Sequence, residues 1–111
     1  MDFTKFKMGW MIVAFDLPTK LKKERRDYAL FRKFLIEDGF LMIQYSVYAR
    51  AIVSHSRMLT HSRRIEQSLP AQGSLRVWYI TQAQWERSLV MHGKPVQKIE
   101  PESLPSQLQF W

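Results

Sequence analysis

The fold is decided by the stretch WMIVAFD at residues 10–16, in which a dense apolar run leads directly into an acidic residue. A short apolar run rich in β-branched and aromatic residues predicts a buried β-strand, which we place at residues 9–15. An unpaired buried charge is very costly, so a carboxylate at the end of such a strand is normally held by a metal ion, a cation or hydrogen bonds. Asp16 is therefore the first candidate for chemistry.

The composition is that of a single globular domain. The chain has 111 residues, of which 46% are hydrophobic and 14% aromatic. A chain of this length can bury a hydrophobic core without disulfide bonds or bound metal ions. It contains no cysteine, which excludes a disulfide framework and a thiolate site. No apolar stretch approaches the roughly 20 residues of a membrane helix, and residues 1–8 lack a secretory pattern. We therefore expect a cytoplasmic protein whose residues 1–8 form a leader that can remain disordered.

The chain is strongly basic. Its formal net charge is +7 at pH 7 and its pI is about 10.0. Such a charge favours a polyanionic partner, and nucleic acid is the commonest one for small basic domains. Charge alone does not distinguish DNA, RNA and an anionic membrane surface. A basic surface that only aids solubility is the alternative interpretation.

Periodicity and chain breakers predict a helix after the first strand. Pro18 prevents the strand from continuing, and Thr19 is a suitable N-cap for a helix at residues 20–37. Gly39 suits the left-handed position that follows a helix. Four residues at helical spacing form the apolar face of this helix: Tyr28, Phe31, Phe34 and Leu35.

The later elements complete a β-α-β-β-α-β order. They are a strand at 40–43, a strand at 46–53, a helix at 55–68 with Ser54 as its N-cap, a strand at 74–80 and a short helix after Thr81. This order predicts an α+β fold of the ferredoxin-like type, an antiparallel sheet with both helices on one face. The domain would cover residues 9–92, followed by a tail at 93–111 whose end can form a short strand. A second subunit is the natural cover for the other, aromatic-rich face of the sheet.

Two interpretations of Asp16 stay open on the residues alone. An aspartate here can orient the turn at residues 17–19, which is a common role for this residue type. It can also take part in metal or phosphate chemistry, because a basic helix follows it. One carboxylate is a sparse site for Mg²⁺, which prefers octahedral oxygen coordination. A homodimer would solve this, because two copies of Asp16 could share one Mg²⁺ ion across the two-fold axis.

Cations cover both predicted helices. Each set is either a solvated outer face or a strip that contacts phosphates without reading sequence. On the second helix, Arg57, His61 and Arg64 recur at helical spacing. The candidates for nucleic-acid contact are Lys22, Lys23, Arg25, Arg26, Arg57 and Arg64.

The remaining histidines and aromatic residues have plainer interpretations. His55, His61 and His92 show no metal-ligand spacing, so we interpret each as a surface histidine. Five large side chains are predicted to be core or interface rather than platforms for stacked bases: Phe31, Phe34, Met42, Trp78 and Trp85.

Several short motifs together resemble the CRISPR-associated protein 2 family. They are MIVAFDLP at 11–18, RKFL at 32–35, DGF at 38–40 and QYSVY at 44–48. The segments LPAQGSLR at 69–76 and TQAQW at 81–85 are similar to the branch found in type II loci. The resemblance covers roughly residues 9–92. One departure is Leu41-Met42-Ile43, where several family members carry an arginine.

The resemblance implies a ferredoxin-like homodimer whose C-terminal strand pairs with the partner's sheet. It implies a metal-dependent endonuclease acting on single-stranded RNA or double-stranded DNA, with Asp16 as the metal-binding aspartate. It also implies a bridging role, in which the dimer joins two dimers of the CRISPR-associated integrase during the acquisition of new spacers. The alternatives are a catalytically silent DNA-binding scaffold for that integrase and an RNA-binding module of the same fold.

Overall fold

Residues 8–93 are described by a computed structural model, and they form a four-stranded antiparallel sheet with two long helices on one face. The predictions for residues 1–7 and 94–111 lie outside the described residues. The elements in chain order are β1 (Gly9–Asp16), α1 (Lys22–Glu37), β2 (Leu41–Gln44), β3 (Val47–Ile52), α2 (His55–Ser68), β4 (Ser74–Thr81) and α3 (Gln82–Glu86).

The sheet has the order β2-β3-β1-β4, with β1 as a central strand. The β1–β3 pair runs in register from Gly9 opposite Ile52 to Ala14 opposite Val47. The β1–β4 pair ends with Asp16 opposite Ser74. Each half of the chain crosses over through one helix, so the predicted ferredoxin-like fold is confirmed.

The core lies between the sheet and the helices. Side chains alternate along a strand, and in β1 it is Met11, Val13 and Phe15 that are buried against the helices. The ring of Phe15 meets Phe31 of α1 edge to face, with centroids 5.2 Å apart. The predicted apolar face of α1 is confirmed, because three of its residues are buried and Phe34 packs against the same cluster.

The start of α1 differs from the prediction. The helix begins at Lys22 rather than Lys20, and Thr19 is not its N-cap. The carboxylate of Glu24 instead accepts hydrogen bonds from the backbone N–H groups of Lys20 and Leu21, at 3.1 and 2.8 Å. An acidic residue in the first turn satisfies free N–H groups as well as a capping hydroxyl does, and this moves the boundary.

The later boundaries are close to their predictions. Helix α2 and its N-cap are confirmed, since Ser54 Oγ accepts the N–H of Arg57 at 3.2 Å. Strand β4 runs one residue further than predicted, to Thr81. Strands β2 and β3 are shifted or shortened by one residue at their ends, because a bulge near Met42–Gln44 and a turn with Ser46 at φ 58° join them.

Candidate functional site

Asp16 lies at the C-terminal end of β1, on the face of the sheet that is opposite the helices. We call this the open face. Its side chain is exposed in the single chain. The expectation that this carboxylate is buried and therefore needs a partner is wrong. Within residues 8–93 the carboxylate makes no hydrogen bond or ion pair, and none of the turn N–H groups is bound by it. The turn-orienting role is therefore not observed, and the carboxylate is available to a ligand.

Two loops fix the backbone beside Asp16. Gly73 has φ +114°, and a Cβ atom there would stand 2.7 Å from the carbonyl oxygen of Asp16, so only glycine fits. On the other side, the carbonyl of Ser46 accepts the N–H of Phe15 at 3.1 Å. The hydroxyls of Ser46 and Tyr28 are 2.7 Å apart, which ties this loop to α1. The end of β1 is thus held from both neighbouring strands.

A shallow groove of about 360 Å³ runs beside Asp16 on the open face. We define the Asp16 groove by Asp16, Ser74, Arg76 and Trp78. Arg76 stands opposite Ala14, two positions from the Asp16–Ser74 pair, and its guanidinium carbon is 6.0 Å from the centre of the Trp78 ring. Arg76 and Trp78 alternate with Val77 along β4 and so share one face of the sheet. The strand register shows that this is the face of Asp16.

Asp16 is a sparse metal site by itself. Among residues 8–93, no three acidic, histidine or cysteine side chains are close enough together to hold a metal ion. A single exposed carboxylate still fits Mg²⁺, which is often held by one or two carboxylates while waters and substrate phosphates complete its coordination. Any such ion would therefore depend on ligands from outside residues 8–93.

The cations of α1 divide into two groups. Lys22, Lys23 and Arg26 are exposed on the first turns of the helix, which begins shortly after Asp16. The Arg25 guanidinium is directed into the turn, where it donates to the carbonyls of Thr19 at 3.2 Å and Lys20 at 2.6 Å. Arg25 thus stabilises the connection between β1 and α1, and its contact with nucleic acid stays a prediction.

The cations of α2 lie at the opposite end of the sheet from Asp16. Arg57 and Arg64 line a cavity of about 560 Å³ beside the end of β3, and this end of β3 pairs with Gly9 rather than with Asp16. We define the Asp38 pocket by Asp38, Arg50, Arg57, His61 and Arg64. The structure therefore does not bring the two predicted sets of cations together.

The surface interpretation of His61 is wrong. This histidine is 4% exposed, and its Nδ1 is 2.6 Å from Oδ2 of Asp38. Helical spacing had placed it between Arg57 and Arg64, but that spacing could not show which face of α2 meets the end of α1. His55 and His92 are exposed, as expected.

The family comparison agrees with this fold. The model of the CRISPR associated protein Cas2 family matches residues 8–88. The chain belongs to the Cas2 family. It is 46% identical over 102 residues to a protein from Parvibaculum lavamentivorans named "CRISPR-associated endoribonuclease Cas2", with 92% of this chain and 99% of that protein covered. A protein of the same name from Paracidovorax avenae is 41% identical over 98 residues, covering 86% and 91% of the two chains.

Solved Cas2 structures share the architecture. The crystal structure of Streptococcus pyogenes Cas2 at pH 6.5 matches 76% of this chain and 99% of its own, with a TM-score of 0.60 and 20% sequence identity. At this identity the likeness establishes the fold only.

Among residues 8–93, none of the helices has the length and apolarity needed to span a bilayer.

Proposed function

We propose that the chain is an endonuclease of CRISPR adaptation that hydrolyses phosphodiester bonds, and that RNA is its preferred substrate. The observation that carries this proposal is the exposed carboxylate of Asp16, which has no partner among residues 8–93 and lies at the end of a central strand. Its Cas2 relatives are named endoribonucleases. The net charge of +7 supports binding to a polyanion.

Asp16 would hold a Mg²⁺ ion, and phosphate oxygens and waters would complete its coordination. When bound, the ion supplies Lewis-acid polarisation of the scissile phosphate and an activated water. The chain's own residues bind and orient the strand. Arg76 offers a planar set of N–H donors to non-bridging phosphate oxygens beside Asp16. Lys22 and Arg26 extend this contact along the backbone without reading sequence.

The working unit in this proposal is a homodimer joined through the open face. That face carries apolar side chains from two strands, including Ile12 of β1 and Trp78 of β4, and Trp78 is 44% exposed. Covering such a face by a second copy buries it in a symmetric interface. The dimer would also bring a second Asp16 to the same interface, which would supply a second carboxylate for the ion.

The decisive experiment compares cleavage of end-labelled single-stranded RNA and duplex DNA by wild type and Asp16→Asn. With Mg²⁺ present, the variant should lose at least about 100-fold in rate, which is the usual effect of removing a charge-stabilising group. Wild type in EDTA should be equally inactive. Glu66→Gln is the matched control, because Glu66 is an exposed acid on α2 and should retain full activity. Equal cleavage by wild type and Asp16→Asn would overturn the nuclease proposal.

A scaffold for the CRISPR-associated integrase is the second candidate. The exposed cations of α1 and α2 favour it, because a binding role needs only cationic surfaces. In that case Asp16→Asn should support integration of a DNA duplex by the integrase as well as wild type does. The RNA-binding module is less well supported, because one face of the Trp10 ring on the open face is already covered by Trp85, with the ring centroids 4.2 Å apart.

A further inference from the structure

We propose that the Asp38 pocket is a second phosphate-binding site, which holds the backbone of a nucleic acid at the opposite end of the domain from Asp16. The inference rests on the proposed function only in requiring that the chain binds nucleic acid. The pocket combines three arginines from two elements with a buried histidine, in a cavity of about 560 Å³. That volume is ample for a phosphate group with bound waters.

The base of the pocket is a buried polar network. The side chain of Asp38 is 9% exposed, and both of its oxygens are occupied. Oδ2 is 2.6 Å from Nδ1 of His61, and Oδ1 accepts Nη1 of Arg64 at 2.8 Å. The negative charge of Asp38 is therefore used to position its partners. Arg64 stays half-exposed and keeps N–H donors for a further ligand, since a guanidinium has five.

Within the part of the chain that the structure describes, Arg50 is held in place by backbone carbonyls and not by an acid. Its Nη1 donates to the carbonyl of Asp38 and its Nε to the carbonyl of Ala51. The guanidinium also lies 6.0 Å from the centre of the Phe40 ring. Gly39 makes room for it, because a Cβ atom there would stand 2.6 Å from Nη1. A cation fixed by neutral groups keeps its charge available to an anion.

Arg57 completes the site and is its most available cation. It lies in the first turn of α2, and its guanidinium has no carboxylate partner within residues 8–93. The N-terminus of a helix adds about half a positive charge at the same place. Glu37 also lines the cavity, so three arginines face two acids, one of which is paired with Arg64. The remaining balance favours an anion.

The position of the pocket indicates a backbone phosphate. It lies on the helix side of the sheet, so it stays accessible when a second copy covers the open face. Along β1, whose eight residues separate it from Asp16, the distance is about 25 Å at the usual rise of ~3.3 Å per residue. This equals about seven base steps of B-DNA at 3.4 Å each. A duplex bound along the helix side can therefore reach the pocket over the full length of the domain.

The first test measures binding of a fluorescent DNA duplex by anisotropy in the presence of EDTA, from 50 to 200 mM salt. Arg57→Gln is compared with Arg63→Gln, which removes the same charge from an exposed position of α2 that does not line the pocket. Arg57→Gln should lower affinity several-fold more than its control, and the slope of log K against log salt should fall by about one. Equal losses in both variants would overturn a backbone contact at this pocket.

The second test separates a backbone phosphate from a free one. Inorganic phosphate is titrated into the ¹⁵N-labelled protein, and saturable shifts are expected at the amides of residues 54–57 and at His61 in wild type and Arg63→Gln. Arg57→Gln should abolish them. Saturable shifts combined with equal DNA losses would reassign the pocket to a free phosphate compound. Absence of shifts together with equal DNA losses would overturn the site altogether.

The two proposals can fail independently. Asp16→Asn is judged by cleavage in Mg²⁺, whereas duplex binding is measured in EDTA, where no metal ion is held at Asp16. Arg57→Gln is judged by binding and leaves Asp16 untouched. A negative result in the cleavage assay therefore does not contradict the phosphate site, and a negative result in the binding assay does not contradict the nuclease.

Discussion

At the scale of the residue, Asp38 makes contacts with two other elements that the sequence did not predict. It follows directly on α1, and its carboxylate contacts His61 and Arg64 of α2 while its carbonyl accepts Arg50 of β3. Three elements therefore meet at one residue. Because His61 is buried, loss of its acceptor would leave a polar group without a partner in the interior.

We expect Asp38→Ala to lower the free energy of unfolding by about 2 kcal/mol, the usual cost of leaving a buried polar group unsatisfied. Glu37→Ala removes the same charge from the neighbouring position, where the side chain is 66% exposed and 3.9 Å from Lys33. It should cost less than about 0.5 kcal/mol, as exposed helix pairs do. Urea unfolding of both variants checks this, and equal destabilisation would show that the buried network contributes little.

At the scale of the element, α3 shows how a very short helix can be held in place. The hydroxyl of Thr81 accepts the N–H of Gln84 at 3.1 Å, and the Gln84 side chain accepts the N–H of Thr81 at 2.8 Å. The ring of Trp85 stacks on Trp10, whose Nε1 donates to Gln82 at 2.7 Å. Five residues cannot form a stable helix alone, so the cap and the tryptophan pair carry it.

Thr81→Ala should therefore destabilise the protein by about 1 kcal/mol, the typical cost of losing a capping residue. The intrinsic fluorescence should also change, because Trp85 would separate from Trp10. Thr60→Ala is the control: its hydroxyl only donates to the carbonyl of Ser56 within α2, and alanine is the better helix former. A control variant as unstable as Thr81→Ala, in thermal unfolding followed by fluorescence, would contradict the role of the cap.

At the scale of the whole molecule, the two faces of the sheet have different tasks. The helix side is filled by the core, whereas the open face keeps apolar side chains in contact with water. A dimer through the open face would bury Trp78 and would leave the Asp38 pocket free. The proposed phosphate site is thus compatible with the proposed dimer.

Trp78→Glu should weaken the proposed dimer at least ten-fold, because it places a charge in the centre of an apolar interface. Sedimentation equilibrium measures this directly. Leu30→Glu makes the same kind of change at an exposed position of α1, on the helix side, and should leave the mass unchanged. Identical masses for Trp78→Glu and wild type would argue against the open face as the interface.

The sequence by itself determined the elements, their order and the position of Asp16. Those features depend on interactions among residues close in the chain: the alternation of β1, the helical spacing around Phe31, and Ser54 three positions before the N–H that it caps. Local geometry dictates such patterns, so they can be recognised without the fold.

The tertiary structure alone decided what surrounds Asp16 and where the cations gather. Arg76 reaches the Asp16 groove through strand register, and His61 reaches Asp38 across 23 positions of sequence. Which residues meet over such distances depends on how helices and strands pack, because many side chains along an element have the same local pattern. Burial of His61 and exposure of Asp16 were both misjudged for that reason: solvent contact belongs to the packed molecule, and periodicity specifies only which residues share a face.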